Sequence, residues 1–322
     1  MTAVAAARGR TVDRARVIDF LAEFGFVVFF AVWVVFLSLT TDTFMTEQNL
    51  LLLLRQASIY GIPAIGATFV ILLGELDISF GSVIGAAGVA GATVLTDGGS
   101  GAAAVAAAVA VGLLVGAING FLVTVLRIPS VVATLGMLSV VLGVAVVFTG
   151  GSAIHGPALD AIDWLARGYI GPIPVPVVIL FVGYSIGWVI LNRTRFGMHV
   201  YLTGDNREAA FRAGIAVDRI RVVVFIIAGA LAGLGGIILV SRVSQAQASF
   251  GTDALFPVLT AVILGGAGLQ GGRGRIENTL IASIFLASLL NGIILLGVDA
   301  QYQGIVLGGI LIAAVSLDRF RT

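Results

Sequence analysis

The chain has 322 residues, of which 59% are hydrophobic, 11% are charged and 43 are Gly, and its mean hydropathy is +1.10. Soluble domains are about 45–50% apolar and about 25% charged, so these proportions exclude a soluble enzyme and make a polytopic membrane protein the default. All 18 basic residues are Arg and Cys is absent, which excludes a P-loop on this chain, Lys Schiff-base chemistry, disulfides and thiolate metal sites.

His155 and His199 lie far apart and outside any metal-binding motif. No metal or other cofactor is expected. The net charge of +1 gives no reason to expect nucleic acid.

Arg8, Arg10, Arg14 and Arg16 precede an apolar run over 24–41 that lacks a small-residue cleavage site, so the run reads as a retained first membrane helix rather than a secretory signal. A span needs about 20 mostly apolar residues. Ten segments qualify: about 22–40, 51–73, 82–96, 102–126, 131–149, 173–191, 221–241, 255–270, 276–296 and 302–317. The third, eighth and tenth are short or interrupted by Gly. With the N-terminus in the cytoplasm, 15 Arg fall on cytoplasmic pieces, and only Arg55, Arg167 and Arg242 fall outside. This asymmetry supports ten spans with both termini inside. The expected fold is an all-α, polytopic inner-membrane protein forming one transmembrane domain over 1–322.

In chain order, the first polar interruption is Gly74-Glu75-Leu76-Asp77-Ile78-Ser79-Phe80-Gly81-Ser82. Two carboxylates lie between apolar runs with no Arg beside them. A carboxylate at membrane depth faces a cavity or a partner, and Gly74 and Gly81 permit a broken helix. Asp77 and Ser79 fit a substrate pathway. They fit equally a short solvated loop whose acids, with Ser79 and Ser82, cap the next helix; for Glu75 the solvated loop is the better account.

The Ala/Gly tract 98–112 reads as a close-packed helix, because small residues let backbones approach. Asn119 and Asn291 are amides inside apolar helices. They could bind a polyol, but such residues more often join helices. The outer loop about 150–172, with Pro157, Asp160, Asp163 and Trp164, suits an interfacial helix or an external partner.

The inner loop about 192–220 is the most polar stretch. Asp205 is a good N-cap, with Glu208 completing a capping-box-like pair. Ala209, Ala210 and Ala213 favour helix, and Gly214 suits the C′ position. The spacing predicts a free-standing helix of about two turns, too short to be stable alone. It docks either on a cytoplasmic partner, as a coupling helix, or on the membrane or its own chain.

The Gly265–Arg275 stretch has no Lys and no soluble strand before it, so a tight cytoplasmic turn is a better account than a phosphate cradle. Val70-Ile71-Leu72-Leu73-Gly74 and Val262-Ile263-Leu264-Gly265-Gly266 are similar pentapeptides before Gly-rich breaks, a faint trace of an internal repeat.

These segments, in this order, resemble the permease subunits of bacterial ABC importers for simple sugars, such as ribose, xylose, arabinose and galactose. The carrying residues are 74–82, Ile128-Pro129-Ser130-Val131-Val132-Ala133-Thr134-Leu135-Gly136 leading to Thr149-Gly150-Gly151, Thr194-Arg195-Phe196-Gly197, Gly204 to Gly214, Gly265 to Gly274, and Asn291-Gly292. The resemblance as a whole runs from about Asn49 to Arg319.

The resemblance implies that Gly204, Asn206, Glu208, Ala209, Ala210 and Gly214 meet a separate cytoplasmic ATPase. It also implies a second permease copy, as homo- or heterodimer, and an extracytoplasmic solute-binding protein. Glu75 departs from the pattern, where Gly is more usual; Ile78 and Phe80 are mild replacements.

A neutral polyol calls for amides and hydroxyls rather than full charges, which makes Ser79, Asn119, Thr134 and Asn291 pathway candidates; Asp77 joins them from its place in the 74–82 break. The alternatives are an ion-coupled secondary transporter using Glu75 and Asp77, or an ABC permease for a branched-chain amino acid or nucleoside. The lack of an intramembrane basic partner for the two acids speaks against the ion-coupled reading.

Overall fold

The computed structural model describes residues 26–318. The basic N-terminal segment, the start of the first span and the two chain ends lie outside the described residues.

In chain order the helices are α1 (Phe26–Thr40), α2 (Glu47–Leu72), α3 (Phe80–Thr96), α4 (Gly101–Thr124), α5 (Ser130–Thr149), α6 (Trp164–Arg167), α7 (Val175–Arg193), α8 (Arg195–Asp205), α9 (Arg207–Arg212), α10 (Val217–Val243), α11 (Thr252–Leu264), α12 (Ile276–Leu295) and α13 (Gln303–Asp318). Six of them, α2, α4, α5, α7, α10 and α12, are long and apolar enough to cross a membrane. The helices α1, α3, α11 and α13 are apolar but shorter. The chain is thus all-α and polytopic, and three of these four short helices match the segments marked by brevity or Gly. Two-residue strands β1 (Ile154–His155), β2 (Tyr169–Ile170), β3 (Ile173–Pro174) and β4 (Gln245–Ala246) pair antiparallel as β1 with β4 and β2 with β3.

The long helix α10 is the centre of the packing, lying against α2, α3 and α4. Its contact with α4 depends on small residues: a Cβ on Gly112 would lie 2.0 Å from the Gly229 carbonyl oxygen. The Ala/Gly tract is therefore a close-packed helix, as its composition predicts. Outward faces, notably Val132, Leu135, Val144, Val147 and Phe148 of α5, are apolar and exposed, as acyl chains require.

The paired pentapeptides have identical backbone endings. Gly74 (φ +71°) and Gly266 (φ +83°) both adopt the left-handed conformation. The N–H of Gly74 donates to Ile71 O at 2.9 Å and that of Glu75 to Val70 O at 3.2 Å. Gly266 and Ala267 repeat this on Ile263 and Val262 at 2.9 and 3.2 Å. Each is a Schellman ending, which needs a residue tolerant of positive φ at C′. It also corrects one boundary: α11 stops at Leu264 rather than near 270, because the Gly pair turns the chain there.

The outer loop contains a 3₁₀ turn (Pro157–Ile162) and α6, not one interfacial helix. Leu159, Ile162 and Leu165 bury against α3 and α10. The two ends of the bundle also separate the Arg residues. Arg55, Arg167 and Arg242 gather at one end, and Arg127, Arg207 and Arg221 gather at the other around Glu75 and Asp218.

Candidate functional site

Two features meet at the second end: the unwound connection 73–79 between α2 and α3, and the helical pair α8–α9. The connection is held by its own side chains and by side chains from α4 and α5. Asp77 Oδ1 accepts from the Ser79 backbone N–H at 2.8 Å and from Ser79 Oγ at 2.5 Å. Asn119 of α4 donates through Nδ2 to Ser79 Oγ at 2.8 Å and more weakly to Asp77 Oδ2 at 3.5 Å. From α5, Thr134 Oγ1 accepts the Ile78 N–H at 3.1 Å and Ser130 Oγ accepts the Leu76 N–H at 3.2 Å.

Four of the pathway candidates, Asp77, Ser79, Asn119 and Thr134, are thus brought together, each at most 3% exposed. The cluster satisfies the backbone that the helix break leaves without intrahelical partners. Asn119 Oδ1 is buried with no partner. Asn291 stands apart. It exchanges reciprocal amide hydrogen bonds with Asn49 at 2.8 and 3.1 Å, joining α12 to α2. Neither Ser79 nor Ser82 caps α3 through its side chain; Ser82 Oγ donates to Ser79 O instead.

Glu75 is neither solvated nor without a basic partner, which corrects both expectations for it. It is 5% exposed, and its Oε1 receives Arg221 Nε at 2.8 Å and Arg207 Nη2 at 2.6 Å. Arg221, at the start of α10, is equally buried, and Asp218 lies 3.6 Å from it. Asp218 pairs in turn with Arg127 at 3.0 Å. A carboxylate oxygen that receives two guanidinium groups is a structural clamp.

The short helix begins one residue later than expected. Asn206, not Asp205, is the N-cap, its Oδ1 accepting the Ala209 N–H at 2.9 Å. This shift moves Glu208 from N3 to N2, out of capping-box register, and its carboxylate turns to Arg212 at 2.5 Å. α9 has six residues rather than a full two turns, and α8 precedes it, so the polar loop is largely helical. Gly214 takes the expected left-handed C′ position at φ +82°.

The helix is not free-standing either: Ala210 buries against Ile215 and Val217. Its other face presents Glu208, Phe211 and Arg212, each more than 70% exposed. α8 ties this pair to the membrane helices through backbone contact. A Cβ on Gly204 would fall 1.8 Å from Leu72 O. Gly272 N–H donates to that same carbonyl at 2.9 Å, and Tyr201 Oη donates to Gly274 O at 2.9 Å. The Gly265–Arg275 stretch is therefore a tight turn packed on α8 and the end of α2.

Arg207 and Arg221 were missed by sequence reasoning. Their separations from Glu75, 132 and 146 residues, leave no local signal. The one usable hint was a buried-carboxylate position with no neighbouring base, which implies a remote one.

The family described as "Branched-chain amino acid transport system / permease component" matches residues 49–315. The chain belongs to this permease family. The permease is 37% identical over 290 residues to the ribose import permease protein of Escherichia coli (strain K12), covering 89% of this chain and 90% of that one. It is 38% identical over 287 residues to the ribose import permease protein of Bacillus subtilis (strain 168), covering 89% of each. It is 34% identical over 297 residues to the L-arabinose ABC transporter permease protein of Azospirillum brasilense, covering 92% of this chain and 87% of that one. No solved structure matches. The permease is a multi-pass protein of the bacterial inner membrane and a transport component.

Proposed function

We propose that this permease is the transmembrane subunit of an ATP-binding-cassette importer that carries a simple sugar, a pentose or hexose. The reading includes a single domain over 1–322, ten crossings with both termini in the cytoplasm, a second permease copy, a separate cytoplasmic ATPase and an extracytoplasmic solute-binding protein. The names of the similar ribose, arabinose and allose permeases support the sugar class.

The observation that carries the coupling role is the construction of α8–α9. An exposed helix, capped at both ends, is fastened at its root to the end of α2. Force on Glu208, Phe211 and Arg212 is transmitted by Gly204 to Leu72 and by Arg207 to Glu75. Both contacts act on the 73–79 connection. Gly204, Asn206, Glu208, Ala209, Ala210 and Gly214 form and hold this lever. Asp77, Ser79, Asn119 and Thr134 form the lock it works against. When the ATPase closes, α9 shifts, the lock rearranges, and α2 and α3 tilt to open the pathway alternately to each side. The unfilled Asn119 Oδ1 is then an acceptor for a sugar hydroxyl.

The test is reconstitution in proteoliposomes with the proposed ATPase and binding protein. Uptake should require ATP. Glu208→Lys should abolish it while membrane insertion stays normal, because the Glu208–Arg212 pair is exposed and contributes at most about 0.5 kcal/mol to folding. Normal uptake by that variant refutes the coupling role. Uptake that survives ATP depletion and stops with the ion gradient restores the ion-coupled alternative.

A further inference from the structure

The three Arg on the outer side of the topology are contributed by α2, α6 and α10 and line one cavity of about 160 Å³. Arg167 pairs with Asp163 at 2.9 Å and donates to Ser244 Oγ at 2.7 Å. Arg55 and Arg242 have no carboxylate within 4.0 Å among the described residues. Arg242 donates to the neutral Gln56 Oε1. Arg55 donates to Arg167 O at 3.4 Å and lies over the Tyr169 ring at 4.8 Å. Its Nε is buried with no partner.

Two half-buried guanidinium groups without carboxylate partners line the same space. Leaving a desolvated charge unpaired is costly, and outward Arg runs against the positive-inside bias. The complement is an oxyanion that accepts from forked donors. The rest of the lining includes Leu52, Ile59 and Ile238, and the adjacent β2–β3 hairpin exposes Ile170 and Ile173. A ligand that fills the site is therefore amphiphilic, anionic at one end and apolar at the other.

We propose that this cavity binds an anionic phospholipid, its phosphate held by Arg55, Arg167 and Arg242 and its acyl chains lying along the apolar lining. Only the leaflet depends on the proposed topology; the site stands whatever solute is carried.

The experiment compares wild type with Arg55→Gln/Arg242→Gln in phosphatidylcholine nanodiscs with and without phosphatidylglycerol, reading retained lipid by native mass spectrometry. Wild type should enrich phosphatidylglycerol over phosphatidylcholine, and the double variant should lose that enrichment by roughly tenfold. Equal retention of both lipids by wild type, or equal enrichment by the variant, overturns the site. Thermal stabilisation of wild type by inorganic phosphate equal to that by phosphatidylglycerol would assign a free anion and overturn the lipid. If the Gln variant does not survive purification, Arg55→Lys/Arg242→Lys keeps both charges and removes only the fork. Its enrichment should also fall, and no change overturns the proposal.

Discussion

Replacing Glu75 with Gln removes the nearer carboxylate from Arg221, a guanidinium only 5% exposed. Taking away one partner of a buried ion pair costs about 3–5 kcal/mol, because the other charge is left desolvated. Asp218 stays beside Arg221 at 3.6 Å, which places the expected loss at the lower end, about 3 kcal/mol. The contact with Arg207, whose side chain is 48% exposed, adds less than about 1 kcal/mol. The loss is read by SDS-induced unfolding in mixed micelles. Adding Arg221→Met to Glu75→Gln removes the stranded charge and should recover at least half of it. The same Glu75→Gln protein, reconstituted with the proposed ATPase and binding protein, should import less solute per ATP hydrolysed, since Arg207–Glu75, one of the two links from the α8–α9 pair to the end of α2 and the connection after it, is weakened. Stability within about 0.5 kcal/mol of wild type, a double variant no better than the single, or an unaltered solute-to-ATP ratio would each refute the clamp as drawn.

Other substitutions separate packing from transport. Gly204→Ala would force a methyl to 1.8 Å from Leu72 O, a backbone atom that cannot step aside; a loss of about 1–3 kcal/mol is expected, as for overpacked sites, along with weakened ATP-driven uptake. Thr134→Val keeps shape but leaves the buried Ile78 N–H without its acceptor, costing about 1–3 kcal/mol, and it should raise the KM for solute as the 73–79 connection loosens. Asn291→Leu breaks the reciprocal pair with Asn49 and should lower stability by roughly 0.6–2 kcal/mol with KM unchanged; a changed KM would return Asn291 to the pathway.

Several local signals were legible in the sequence. The Schellman endings at Gly74 and Gly266 follow from similar pentapeptides, and Gly214 occupies the C′ position its spacing predicts. The N-cap of α9 was misplaced by one residue because Asp205 and Asn206 are both competent caps; Gly272, packed on Asp205, sits where α8 continues through it. Glu75 was misjudged for a different reason: its partners lie on α9 and α10, beyond any periodicity or capping pattern.

Composition and hydropathy by themselves determined an all-α membrane protein without a P-loop Lys, because the bilayer solvent imposes long apolar helices and the missing residue type is decisive at any position. The motif series pointed to the permease family. Only the tertiary structure decided which polar residues meet. It separated Asn291 from Asp77, Ser79, Asn119 and Thr134, gave Glu75 its two guanidinium partners, and gathered Arg55, Arg167 and Arg242 around one cavity. Buried polar groups must find partners, and in a helical bundle those partners lie across helix faces whose register no single stretch of sequence encodes.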